Sequence, residues 1–190
     1  GTDAEHTVHI TELGEPAFLG MAFNAASEAD LGVISELDGA SDVLDNDEPC
    51  GGKKVILTDP DGLKVEIIHG INKLEAIPVK EVTPFNSGSR RRRVGPIVRS
   101  YPRPSQIKRL GHIVLRCGDF KGCEEFYRNK LGMLVSDFLY RGEEDNPGDN
   151  AAEFLRCNRG QEYTDHHTIL VTDADEAGLG HVAFEVEDWN

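Results

Sequence analysis

Two of the seven histidines in this 190-residue chain stand at the same place in a repeated phrase. Leu110-Gly111-His112-Ile113-Val114-Leu115 returns as Leu179-Gly180-His181-Val182-Ala183-Phe184. Each copy is a short apolar run entered through a glycine, the pattern of a strand, and each sets an imidazole just inside it. If two such strands pair about a pseudo-twofold axis, His112 and His181 face each other across one cavity. They then supply half of a metal site, and imidazole suits Zn, Cu, Fe and Ni. A single histidine on an apolar strand is more often a hydrogen-bonded core residue; recurrence at one position in two repeats favours metal ligands. A second cluster, His166-His167, lies at the mouth of the apolar run that leads back toward His181. Histidine exchanges protons near neutrality, with an ordinary pKa of about 6.5, so a member of this pair beside a metal suits acid–base work. The plain alternative is an exposed strand start.

The elements that must carry these residues form two repeats of one pattern. An altered third copy of the phrase, Leu19-Gly20-Met21-Ala22-Phe23, opens the earlier repeat with methionine in place of histidine, which denies that repeat a ligand. Ser27 then starts a helix, with Asp30 three residues on and Leu31, Ile34 and Leu37 on one face, until Gly39 stops it. Short strands are expected near 42–44, over 53–58 and over 63–69. The last two are joined by Asp59-Pro60-Asp61-Gly62, where proline sets the turn and glycine accepts positive φ. The later repeat has the His112 strand, a helix capped by Asp119 with Cys123, Phe126, Tyr127 and Leu131 on one face, and a stop at Gly132. Strands over 134–140, 151–157 and 167–172 follow, with 142–150 as an exposed hairpin loop. Both repeats read as βαβββ. The alternating run Thr7-Val8-His9-Ile10-Thr11 reads as the tail of a preceding unit, and Asp188 as the start of a further helix. Between them, residues 71–106 hold five prolines and the block Arg90 to Arg93, and read as a linker.

Composition narrows the partners. A formal net charge of -14 disfavours phosphate backbones and anionic lipid, so neither nucleic acid nor a membrane is expected, and the four arginines are expected to pair with the chain's own carboxylates. No apolar run approaches the roughly 18 residues of a membrane span. Cys50, Cys117, Cys123 and Cys157 are dispersed without a Cys-x-x-Cys pair, which argues against a zinc knuckle or a disulfide framework; a cytoplasmic protein with reduced thiols is expected.

With these residues in view, the chain resembles the vicinal oxygen chelate superfamily, which includes glyoxalase I, bleomycin resistance proteins and type I extradiol dioxygenases. The repeated Leu-Gly-His strand, the βαβββ unit and Asp59-Pro60-Asp61-Gly62 carry the resemblance. Phe126 to Met133, Phe154-Leu155-Arg156-Cys157-Asn158 and Asp165-His166-His167-Thr168 look most like the catalytic half of an extradiol ring-cleavage dioxygenase. The resemblance implies an α+β fold of tandem βαβββ modules forming half-barrel cups, in two domains joined by the Pro/Arg-rich linker. Residues 1–70 are then the end of module one and all of module two, non-catalytic, and 107–190 are module three and the start of module four. It implies His112 and His181 as ligands of Fe(II), with Mn(II) as a close alternative, and His166 as the acid–base histidine, with His167 next to it as the other candidate. The third ligand, a glutamate, is expected beyond Asn190, so these residues alone are expected to be inactive. Glu66 is expected to be a structural or vestigial acid. A small aromatic diol and O2 are the implied substrates, and a homo-oligomer the implied assembly. A glyoxalase-like metal-dependent lyase or isomerase, and a metal-free binding or resistance module, are the competing readings.

Overall fold

The computed structural model describes residues 14–73, 75, 77, 78, 86, 88–93, 95, 104, 106–143, 146 and 148–186. Thr7 to Thr11, Asp188 and much of the 71–106 segment lie outside the described residues. The chain divides into two compact units, one of residues 1–8, 74–110 and 184–190, the other of 9–73 and 111–183. All side chains discussed below belong to the second.

Two β-sheets with few helices make up the fold. The first repeat comprises β1 (Gly20–Asn24), α1 (Glu28–Ser35), β2 (Leu44–Asp45), β3 (Lys53–Thr58) and β4 (Lys64–His69). Its sheet has the order β1-β4-β3-β2, with β1 parallel to β4 and the other pairs antiparallel. The second repeat comprises β5 (Ile107–Cys117), α2 (Phe120–Glu124) continued by a π-helical turn (Glu125–Lys130), β6 (Leu134–Tyr140), β7 (Asn150–Arg156) and β8 (Ile169–Asp173). With β9 (Gly178–Val186) added on the outside of β5, its order is β6-β7-β8-β5-β9. β5 runs parallel to β8, as β1 does to β4, so the order β-α-β-β-β recurs in chain and in space.

Local chemistry sets these elements. Ser27 caps α1 by accepting from Asp30 N at 3.3 Å while the Asp30 carboxylate accepts from Ser27 N at 2.8 Å, the reciprocal capping box read from the sequence. Leu31, fully buried, anchors the helix. The single helix expected over 120–131 changes pitch at Glu125. Leu131 N donates to Phe126 O at 2.9 Å, five residues back. The wider turn lets the consecutive Phe126 and Tyr127 both point into the core, ring centroids 5.0 Å apart.

Strand alternation gives each sheet two unlike faces. In the second repeat Ile113, Leu115 and Cys117 of β5 share a buried face with Glu153 and Leu155 of β7 and Ile169 and Val171 of β8, under α2. His112 and Val114 share the opposite face with Phe154 and Leu170. In the first repeat Val55, Leu57, Val65 and Ile67 form the buried face, and Met21 lies with them because it pairs with Val65. Glu66 pairs with Ala22 and Ile56 on the other face. Matching the phrases by their Leu-Gly pair therefore misaligns them: Met21 corresponds in facing to Ile113, and the histidine's face falls to Ala22. A slip of one residue reverses every side chain, which the apolar sequence of β1 does not reveal.

Candidate metal centre

β5 is the inner strand between β8 and β9, and His112 projects from it on the face away from α2. The glycine before each repeated histidine has a specific use. A Cβ on Gly180 would lie 2.9 Å from Val114 Cγ1 and 3.1 Å from Val114 O; one on Gly111 would lie 3.4 Å from Ala183 O. Only glycine at 180 lets the two strands approach this closely, and the approach brings the imidazoles together. His112 Nε2 and His181 Nε2 are 3.3 Å apart, with ring centroids at 5.4 Å and planes at 69°.

His167 completes the cluster. Its ring centroid lies 4.2 Å from that of His112, and its Nδ1 lies 3.2 Å from His166 Nδ1. The ring against His112 is thus His167, and His166 adjoins it through His167. Phe154 of β7 sets both, with ring centroids 4.9 Å from His167 and 5.3 Å from His166. The sequence offered Phe154 as part of a motif and gave it no task; its alternation with fully buried Leu155 was the available signal.

The electrostatics favour the neutral form of His112 and His167. Burial, then His181, lowers the pKa of His112, with Asp165 opposing. Burial, then His112 and His166, lowers that of His167, again against Asp165. Neutral imidazole is the form that ligates a metal and the form that accepts a proton.

The donor set fits a divalent ion. Two imidazole nitrogens bound to one ion at about 2.1 Å, at angles between octahedral and tetrahedral, lie about 3.0 to 3.4 Å apart. The observed 3.3 Å lies in that range, as it does for one ring donating a hydrogen bond to the other. Among the described residues no further His, Cys, Asp or Glu joins this pair as a compact ligand group. Glu66 does not: it sits in the first repeat, 8% exposed, with its Oε1 3.3 Å from both Lys54 Nζ and Lys64 Nζ. Its charge is already answered by two ammonium groups, the condition of a structural acid.

Against known families, residues 109–190 match the description Glyoxalase/Bleomycin resistance protein/Dioxygenase superfamily. The matched span holds both histidine strands and the His166-His167 pair. Metapyrocatechase 2 of Cupriavidus necator is 26% identical over 160 residues, 84% of this chain and 45% of that protein. A Mn(II)-bound glyoxalase from Novosphingobium aromaticivorans shares the fold with a TM-score of 0.61 at 23% identity, over 86% of this chain and 44% of that one. Homoprotocatechuate 2,3-dioxygenase from Arthrobacter globiformis does so with a TM-score of 0.60 at 18% identity, over 88% of this chain and 45% of that one. The chain spans less than half the length of each of these superfamily relatives. Among the described residues no helix is long and apolar enough to cross a membrane.

Proposed function

We propose that the full-length protein is an extradiol dioxygenase, in which His112 and His181 hold a non-haem Fe(II) ion, or Mn(II) in its place, and a catechol-type aromatic is opened with O2. The observation that carries this reading is the pair of imidazoles from sister strands, with Nε2 atoms 3.3 Å apart on a solvent-reached face. A third, carboxylate ligand completes the site on this reading, within half-barrel cups built from paired βαβββ modules in two domains. Bound there, the ion supplies Lewis acidity and a path for electrons between an electron-rich ring and oxygen.

This chain's own residues then have definite tasks. His112 and His181 orient the site through strands locked by Gly111 and Gly180. His167 takes a proton from the diol, in preference to His166, because its ring is the one set against His112. Its Nε2 is the nitrogen not engaged with His166, and the contact between the two Nδ1 atoms at 3.2 Å gives the proton a route outward. Phe154 walls the histidine side and restricts water. The working protein is a soluble homo-oligomer of the cytoplasm, with Cys50, Cys117, Cys123 and Cys157 outside any disulfide.

The glyoxalase-like reading has one observation in its favour, the shared fold with the Mn(II)-bound glyoxalase. The deciding experiment uses full-length protein prepared without oxygen and loaded with Fe(II). Catechol should give oxygen uptake and a yellow ring-opened product, and His112→Ala and His181→Ala should each remove both the ion and the uptake. Loss of a glutathione hemithioacetal with no oxygen consumed would overturn the dioxygenase in favour of the lyase. Full metal occupancy in either variant would remove that histidine from the site.

A further inference from the structure

A second group of ligand-type atoms lies on the opposite face of the β5 sheet. Asp61, Cys117 and Cys123 each offer one atom, and these atoms lie within 4.8 Å of one another. They come from the β3–β4 turn of the first repeat, the end of β5, and α2. The thiols of Cys117 and Cys123 are 1% and 0% exposed, and Cys123 Sγ donates to Asp61 Oδ2 at 3.4 Å. The carboxylate is held from behind, accepting from Gly118 N at 3.0 Å and Asp119 N at 2.9 Å. The turn itself is fixed by Asp59, whose Oδ1 accepts from Asp61 N at 3.0 Å and Leu63 N at 2.8 Å while Oδ2 accepts from Tyr127 Oη at 2.8 Å. A Cβ on Gly118 would stand 3.3 Å from Asp61 Oδ1, and one on Gly122 3.0 Å from Pro60, so both glycines serve the close docking of this turn.

We propose that Asp61, Cys117 and Cys123 form a metal site separate from the histidine pair, selective for a thiophilic d10 cation such as Zn(II) or Cd(II). Two sulfurs and one carboxylate are the donor set that such ions take, whereas Fe(II) and Mn(II) favour imidazole and carboxylate. With metal–sulfur bonds of about 2.3 Å and metal–oxygen bonds of about 2.1 Å, a tetrahedral ion separates sulfur and oxygen by about 3.5 Å. The sulfur–oxygen separation already present is 3.4 Å. Entry requires loss of protons: M(II) binds two thiols and one carboxylate, and two protons leave to solvent. The hydrogen bond with Cys117, and then burial, raises the Cys123 thiol far above its ordinary range, so its proton is present in the metal-free chain at neutral pH. Water would take the fourth position. The bound ion would clamp the first repeat's turn onto the strand and helix of the second.

Without an ion the same atoms are a hydrogen-bonded latch, and the test separates the two. Metal-free full-length protein is titrated with Cd(II), following the ultraviolet thiolate-to-metal absorption that histidine ligation cannot give. Expected are one such equivalent per chain, release of two protons per ion, tighter binding as pH rises, and a higher thermal transition. Cys117→Ser and Cys123→Ser should each abolish the absorption, and Cys157→Ser should leave it. Absence of the band in protein folded by circular dichroism, or a band surviving both serine changes, overturns the proposal and leaves a latch. Should either serine variant misfold, alkylation of Cys123 in the unaltered protein decides: Zn(II) should slow it at least tenfold, and an unchanged rate overturns the site.

Discussion

In the first repeat the open face of the sheet carries Glu66 between Lys54 and Lys64; in the second, the same face carries His112 with His167 and His181 beside it. The strand order is common to both, and so is the helix against the opposite face. What differs is how charge is settled. Glu66 has its countercharge built in. Burial works against the Lys54 ammonium, yet Asp47 and Glu66 outweigh it and hold the pKa above its ordinary value. For His112 and His167 the balance runs the other way: burial and the neighbouring imidazoles outweigh Asp165 and hold both pKa values below the ordinary one, which favours the neutral, electron-pair-donating form. The comparison teaches that one scaffold fills the same face with a lysine–glutamate pair or with a cluster of imidazoles, according to a few side chains.

Exchanging the first-strand residues gives the largest expected effect. His112→Met should abolish metal occupancy of the full-length protein, and oxygen uptake with it. Met21→His should leave occupancy at its original stoichiometry, because position 21 faces the Val65 side, away from Glu66. Metal analysis of both variants checks this, and an additional equivalent bound by Met21→His would break the comparison at its root.

That outcome turns on a distinction the sequence did not carry. The recurrence of Leu-Gly-His located β5 and β9, their histidines and the two βαβββ units, because apolar periodicity and turn residues are local signals. Ser27 with Asp30, and the turn 59–62, were legible for the same reason. The facing of Met21 was not, since every residue of β1 from Met21 to Phe23 is apolar and alternation leaves no mark there. Nor was the change of pitch at Glu125, which answers to the packing of Phe126 and Tyr127. That the ring against His112 belongs to His167 rather than His166 is likewise set by the path of the segment leading into β8. The double use of the Asp59 and Asp61 carboxylates, which reach Tyr127 and Gly118 across some 60 residues of chain, is long-range geometry that no window of sequence holds.

Removing the built-in cation sharpens the comparison next. Lys54→Met leaves a buried carboxylate with Lys64, half exposed, as its remaining partner. Breaking a buried ion pair typically costs about 3 to 5 kcal/mol, and the surviving lysine reduces this to about 2 to 3 kcal/mol. Urea unfolding at neutral pH should show the loss, and Lys54→Met with Glu66→Leu should recover most of it. No loss in the single variant would mean that Glu66 is answered by Lys64 alone.

The second repeat has a buried acid of its own, and it is settled by a proton. Glu153 of β7 is fully buried beneath α2; its Oε1 accepts from Arg128 Nη1 and Asn150 Nδ2, each at 3.0 Å, and its Oε2 has no hydrogen-bond partner. Burial, reinforced by Glu124, pushes its pKa from 4.5 up to about 7. The folded chain therefore holds this proton more tightly than the unfolded chain does. As pH rises from about 4.5 the unfolded carboxyl ionises first, and stability falls until the folded carboxyl ionises near pH 7. Above that the cost is complete and constant, at most about 3 kcal/mol by linkage, with the opposing pull of Arg128 already included in that shift. Glu153→Gln is neutral throughout, so its stability relative to the unaltered protein should rise across that window and level off about 1 to 2 kcal/mol higher. Unfolding at pH 4 and pH 8 checks this. A difference independent of pH would show that Arg128 keeps Glu153 ionised, and the two repeats would then settle their buried acids in the same way.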